Sequence, residues 1–422
     1  MIGFRRISHH ALRARLAALT GALALGLVAV LFARAGEAAQ ALFDATFAHA
    51  PYATLIVTPI AFALITGATR RWFAEARGSG IPQVMAAASG HDPDAQARGP
   101  LLSLRNAVVK IAGTLGMLLA GGAVGREGPT VQVSAAIMAA CHRWLRVPAT
   151  SGVIIAGGAA GVAAAFNTPL AGVAFAIEEL AAAFEQKLAL NVMLAVLVSG
   201  LVSLSLAGDY VYFGAMAQSL PIAAAIGAAL LAGVAGGLAG GAFSRLLIAF
   251  AEAQHPAIAA IKRRPVLFAA GCGLVVAAVG VASHGLTWGT GYGATRKLLE
   301  GGTQSGWFGP ARFVATVATA VSGAPGGIFA PSLSVGAGLG QMLTPLFPGD
   351  SSGAIVMLGM IAYFAGVTRA PLTAVIIVME MTANRAMILP LFGAAIVADA
   401  VSAWVCPEKL YHALSRPFRT RG

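Results

Sequence analysis

Apolar runs at or near bilayer-spanning length recur along almost the whole chain, at 17–34, 54–68, 106–124, 186–207, 220–243, 265–283, 353–367 and 386–405. A helix needs about 20 such residues to cross a hydrocarbon core, where each backbone polar group must be satisfied within the segment. Soluble domains carry roughly a quarter charged residues. Here 10% are charged and 58% hydrophobic, too few charges to cover a water-facing surface. The pattern is that of an all-α polytopic membrane protein embedded in a lipid bilayer. A transmembrane β-barrel would show short alternating segments instead.

The net charge of +12 does not point to nucleic acid, because the basic residues sit in short runs beside apolar segments. These are Arg5, Arg6, Arg13 and Arg15; Arg70, Arg71 and Arg77; Lys262, Arg263 and Arg264; and Arg416, Arg419 and Arg421. Cytoplasmic loops carry such an excess. Both termini are therefore expected in the cytoplasm, in a multi-pass protein of the inner (plasma) membrane. No small-residue cleavage site follows the first apolar run, so it reads as a retained helix. Cys141, Cys272 and Cys406 are odd in number and widely spaced in or beside apolar helices, which suits small core residues. No metal site is expected, and no cofactor.

The chain repeats itself. Gly125-Arg126-Glu127-Gly128-Pro129 and Gly327-Ile328-Phe329-Ala330-Pro331 lie 202 positions apart, and so do Pro169-Leu170-Ala171-Gly172-Val173 and Pro371-Leu372-Thr373-Ala374-Val375. Gly157 and Gly359, and Glu178 and Glu380, keep the same offset, while Gly78-Ser79-Gly80 and Gly289-Thr290-Gly291 are offset by 211. The expected organisation is a cytoplasmic segment 1–16, a first membrane repeat 17–207, a linker 208–217, a second repeat 218–405, and a C-terminal helix and tail 406–422. Transporters built from repeats place their sites at the repeat interface. Sequence leaves open whether the halves are parallel or inverted.

Several apolar segments are too short to span: 80–89, 127–140, 168–179, 327–341 and 370–382, each about three turns. Broken helices are tolerated in a membrane where the freed backbone is buried or lines a cavity. Their N-terminal amides and dipole favour an anion. GSGIP at 78–82, GREGP at 125–129 and GGIFAP at 326–331 each lead into such a helix, with glycine for close approach and proline for the first turn. Three convergent positive helix ends, with no full charge, hold an anion loosely enough for it to leave.

In these motifs the sequence resembles the CLC family of chloride channels and chloride/proton antiporters, with matching order and spacing over essentially the whole membrane domain. The resemblance implies an inverted repeat of tilted and broken helices and a homodimer with one pore per subunit. The dimer contact would run through the helices matching 168–206 and 370–404. It implies that Ser79, the amides of Ile328 and Phe329, and Tyr411 in KLYHAL bind chloride. Glu127 would be the gating carboxylate that accepts the proton, and Glu179 in AIEEL the internal proton-transfer residue. With so little sequence after Tyr411, the paired CBS domains of many eukaryotic members are not expected.

Each role has a plainer alternative. An intramembrane carboxylate is a functional candidate by default; only Glu127, Glu178, Glu179, Glu380 and Asp399 fall in or beside apolar segments. At a helix N-terminus the dipole favours the anion of Glu127 and desolvation its protonated form, a balance suited to proton exchange. Glu179 could instead be salt-bridged at a helix end. Glu178 and Glu380, at matched repeat positions, read as structural, and Arg126 reads as a structural pairing residue. Ser79 could be a helix N-cap, and Tyr411 an interfacial aromatic. One departure stands out: Gln83 follows GSGIP where many relatives have an acid, and Met85 lies two further on. Lys110 is thereby expected to lack a carboxylate and either to be neutralised or to find backbone acceptors. The function expected is chloride/proton exchange, with a passive chloride channel or a fluoride-selective member of the same fold as alternatives.

Overall fold

Apolar runs poor in charge have one way to satisfy their backbone in a membrane, and in the computed structural model every regular element among the described residues is helical. The structure describes residues 9–89, 92–180, 186–208, 211–253 and 255–419. Among the described residues, five helical segments are long and apolar enough to cross a membrane: His9–Phe47, Pro51–Trp72, Ile222–Glu252, Pro265–Ala282 and Ile388–Val405. Shorter apolar helices lie between them, among them Ser151–Phe166, Phe308–Val321, Ser352–Thr368 and Pro371–Thr382. The first helix starts at His9, so residues 9–16 of the expected cytoplasmic segment are already helical.

The broken helices begin at the glycine-led turns, as Ile81–Ala88, Glu127–Trp144 and Phe329–Leu343. Glu127–Trp144 has 18 residues, longer than expected, because nothing interrupts it before the left-handed turn at Arg146 (φ 56°). The expected helix 168–179 instead divides into Pro169–Phe175 and a π-helical turn, Ala176–Leu180.

The halves build matching units. Thr150 and Ser351 cap Ser151–Phe166 and Ser352–Thr368, accepting from the amides of Val153 and Ala354. Both helices end on a left-handed residue, Asn167 (φ 56°) and Arg369 (φ 58°), and a proline then starts the next helix. The relation between the halves follows from Pro169–Phe175 and Pro371–Thr382. Glu178, past the end of the first, accepts from Leu372 N (3.1 Å) and Thr373 N (2.7 Å) at the start of the second. Glu380, at the end of the second, accepts from Leu170 N (3.2 Å) and Ala171 N (2.8 Å) at the start of the first. Equivalent helices that each cap the other's beginning run antiparallel, so the repeat is inverted. The structural reading of both glutamates holds: each carboxylate neutralises a positive helix end.

Close packing of this core depends on missing side chains. A Cβ on Gly236 would lie 2.5 Å from the amide nitrogen of Tyr363, one on Gly240 2.6 Å from the carbonyl carbon of Gly366, and one on Gly359 2.3 Å from the Cα of Gly340. Small-residue contacts of this kind let membrane helices approach backbone to backbone. The outer faces carry large exposed apolar residues, among them Leu27, Leu31, Ile56, Leu64 and Leu267, as lipid-facing helices do.

Candidate anion site at the crossing of the broken helices

The three glycine-led turns meet. Gly78 N donates to Ala324 O (3.2 Å) and Gly326 N to Gly78 O (3.1 Å), while Gly125 and Gly327 exchange a pair of backbone hydrogen bonds at 2.8 Å each. Gly80 has φ 110°, and a Cβ there would lie 2.8 Å from Gly128 O. A Cβ on Gly128 would lie 2.3 Å from Ser79 Oγ and 3.4 Å from the Cα of Gly327. Glycine at these places is what lets three helix starts share one spot.

Ser79, Ile328, Phe329 and Tyr411 come together there. The C-terminal helix Leu410–Arg419 packs on Ile81–Ala88 and brings in Tyr411, which is fully buried. The Phe329 ring lies 6.1 Å from that of Tyr411 and packs on Phe166, Phe175 and Phe364, forming an apolar wall. Ser79 Oγ and Tyr411 OH are shielded from solvent, lie within weak hydrogen-bonding reach of one another, and have no other partner. The amides of Ile328 and Phe329 begin a helix and donate to no described group. Two amides without an acceptor and two hydroxyls that have only each other therefore share an apolar enclosure, where an unsatisfied polar group is costly.

Glu127 is fully buried at the start of its helix. Its Oε2 occupies the space in front of Gly125, where a Cβ would meet it at 2.2 Å and would lie 3.3 Å from the Ala330 amide. The carboxylate thus leans towards the start of Phe329–Leu343. Its Oε1 accepts a 2.5 Å hydrogen bond from Tyr292 OH. Glu179 is 2% exposed, and neither of its oxygens has a hydrogen-bond partner. The π turn separates it from Glu178, sending one carboxylate to the helix cap and the other inward. Tyr411 stands within electrostatic reach of Ser79, Glu127 and Glu179 together, and Lys409 acts on Glu179.

Supporting residues behave largely as expected. Lys110, fully buried, donates to Gly78 O (2.9 Å) and Arg77 O (3.3 Å), which fixes the turn that carries Ser79. Gln83, in place of an acid, donates to Arg77 O (2.7 Å) and Glu75 O (3.1 Å). Arg126 pairs with Glu37 (2.9 Å), Tyr212 OH (2.9 Å) and the carbonyl of Ala33. Asp399 pairs with Arg369 (2.6 Å). Sequence reasoning missed Tyr292. Its one signal was the Gly289-Thr290-Gly291 counterpart of GSG, directly before it.

Fold and site together define an inverted-repeat membrane protein whose broken helices bring buried donors together beside the Glu127 carboxylate. The chain belongs to the voltage gated chloride channel family, whose model matches residues 61–403. The H(+)/Cl(-) exchange transporter ClcA of Yersinia pseudotuberculosis serotype IB (strain PB1/+) is 31% identical over 417 residues, covering 92% of this chain and 84% of that protein. ClcA of Yersinia pestis bv. Antiqua (strain Angola) is similar to the same extent, 31% over 417 residues, with 92% and 84% covered. Two solved structures share the fold at 24% identity and a TM-score of 0.81. They are a slow cyanobacterial Cl-/H+ antiporter (97% of this chain, 98% of that one) and a CLC-type fluoride/proton antiporter (96% and 98%).

Proposed function

We propose that this protein is a secondary active transporter exchanging chloride for protons. The observation that carries the reading is the cluster of four donors with no partner outside it, Ser79 Oγ, Tyr411 OH and the amides of Ile328 and Phe329, beside the carboxylate of Glu127. Similarity to relatives named as H(+)/Cl(-) exchange transporters supports both ions.

Chloride sits among these donors at the helix starts, where partial positive charge attracts it without the grip of a full cation. Deprotonated Glu127 competes for the neighbouring position; protonated, it loses its charge and swings out of the anion path. Glu179 carries protons between the cytoplasm and Glu127, passing beside Tyr411. Sharing one gate while differing in route couples the opposite flows. The protein works as a homodimer in the inner membrane with both termini cytoplasmic. Its dimer face is the apolar side of Pro169–Phe175, Gln186–Ala207, Pro371–Thr382 and Ile388–Val405, where Leu170, Leu197, Leu201, Leu372, Leu389 and Trp404 are exposed.

Simultaneous chloride and proton flux in liposomes tests the exchange. A chloride gradient drives protons uphill in the wild type; Glu179→Gln keeps chloride flux and loses proton flux; Glu127→Ala uncouples the two. Chloride flux with no proton movement in the wild type, or proton flux surviving in Glu179→Gln, defeats the reading. Competition between chloride and fluoride checks the anion. A cysteine placed at Leu201 should crosslink to its own copy in the dimer.

A further inference from the structure

The second repeat contains a counterpart to the Lys110–Ser79 arrangement, and it serves the gate. Arg312 lies 202 positions after Lys110, on Phe308–Val321, and is likewise fully buried. Thr114 and Thr316 donate to the carbonyls of Lys110 (2.8 Å) and Arg312 (2.7 Å), so the helices match in local detail. Among the described residues Arg312 has no carboxylate partner; it donates to Thr287 O (2.5 Å) and Gly289 O (2.6 Å). Lys110 does the same to the Gly78 turn. In each half a buried cation thus grips the carbonyls of a Gly-X-Gly turn. The fit is tight at the second, because a Cβ on Gly291 (φ 81°) would lie 2.8 Å from Arg312 Nη2 and 2.4 Å from Ser334 Oγ.

The first turn delivers Ser79 to the anion site. The second delivers Tyr292, the first residue of Tyr292–Leu299, whose hydroxyl reaches Glu127 Oε1. The Tyr292 ring is held against Tyr212 (centroids 4.3 Å apart) and Phe213 (5.7 Å). Tyr212 in turn accepts from Arg126, next to the gate (2.9 Å).

We propose that Tyr292 is a positioning residue for the gate: its hydroxyl latches the Glu127 carboxylate across the anion path, and Arg312 holds the turn that carries it. This rests on Glu127 being the gate. A carboxylate accepts a hydrogen bond more strongly than a neutral carboxyl, so the latch holds the charged gate and weakens on protonation. The charged and titratable groups facing Glu127 are Arg126 from its own turn, Tyr292 and, from the C-terminal helix, Tyr411, while Tyr212 from the joining segment stands behind Arg126 and Tyr292. Of these, the Tyr292 hydroxyl is the direct hydrogen-bond donor.

The test is the pH dependence of chloride flux through the full-length protein in liposomes. Tyr292→Phe removes only the hydroxyl, which makes the protonated, released gate easier to reach. The pH of half-maximal flux should move in the alkaline direction by about one unit, the worth of a hydrogen bond to a charged group. In a Glu127→Gln background the same substitution should leave the profile unmoved. Arg312→Lys, which keeps the charge but loses the fork of donors, should shift the profile in the same direction and provides a second variant if Tyr292→Phe folds poorly. A Tyr292→Phe profile that overlays the wild type, or a shift that persists with Glu127→Gln, overturns the latch. The gate itself is judged separately: if Glu127→Gln alone keeps the wild-type pH dependence, that reading falls and takes the latch with it.

Discussion

Ser79 and Tyr411 owe their place in the site to what they lack. A buried hydroxyl normally finds well-placed partners, and these two have none beyond a weak contact with each other. Ser79→Ala and Tyr411→Phe should each weaken chloride binding about tenfold, the lower range for losing a hydrogen bond to a charged ligand. Calorimetric titration of detergent-purified protein measures this, and unchanged affinity in both variants would exclude them as ligands. Lys110→Met should act one step further back, because its ammonium holds the Gly78 carbonyl at 2.9 Å. Loss of that pin leaves the Gly78 and Arg77 carbonyls one donor each, Gly326 N and Gln83 Nε2, and loosens Ser79. Reduced chloride affinity together with a lower melting temperature is expected, whereas Ser79→Ala should leave the melting temperature nearly unchanged.

Helices show which features a linear reading could find. The two glutamates of the reciprocal cap stand at matched positions with partners 194 and 209 residues away. Their structural role was legible from the 202-residue repeat, but the hand of the repeat was not, since a matched offset is the same for parallel and inverted halves. Glu178→Gln and Glu380→Gln should each cost about 1 kcal/mol, the scale of a charge at a helix start, and by similar amounts because the contacts mirror one another. Thermal unfolding in detergent compares them, and a large effect from one with none from the other would contradict the symmetry. The starts of the broken helices were legible because glycine and proline mark them locally. Tyr292 was not: the offset changes from 211 at the Gly-X-Gly turns to 202 at GIFAP, and the first-half residue at its place is Ile81, which has no hydroxyl to suggest a donor. The partners of Arg126 were equally hidden, since Glu37 and Tyr212 lie 89 and 86 residues away with no pattern linking them.

Across the whole molecule, the membrane core is a stack of helices in backbone contact at Gly236, Gly240, Gly340 and Gly359. Gly359→Leu should prevent a monodisperse folded protein on size-exclusion chromatography, since the displaced atoms are backbone and cannot rotate aside. Gly271, with open space around its Cβ position, should accept alanine freely and serves as the control. The paired backbone hydrogen bonds between Gly125 and Gly327 bear on how such a molecule can work. Many carriers expose a site to alternate sides by tilting one half against the other about a central pivot. Here the seam between the halves is itself tied at the candidate anion site, so a tilt would break the bonds that join its turns. The proposed exchange then falls to a swinging side chain inside a stationary frame, and spin labels on opposite halves should report one unchanging separation at every pH.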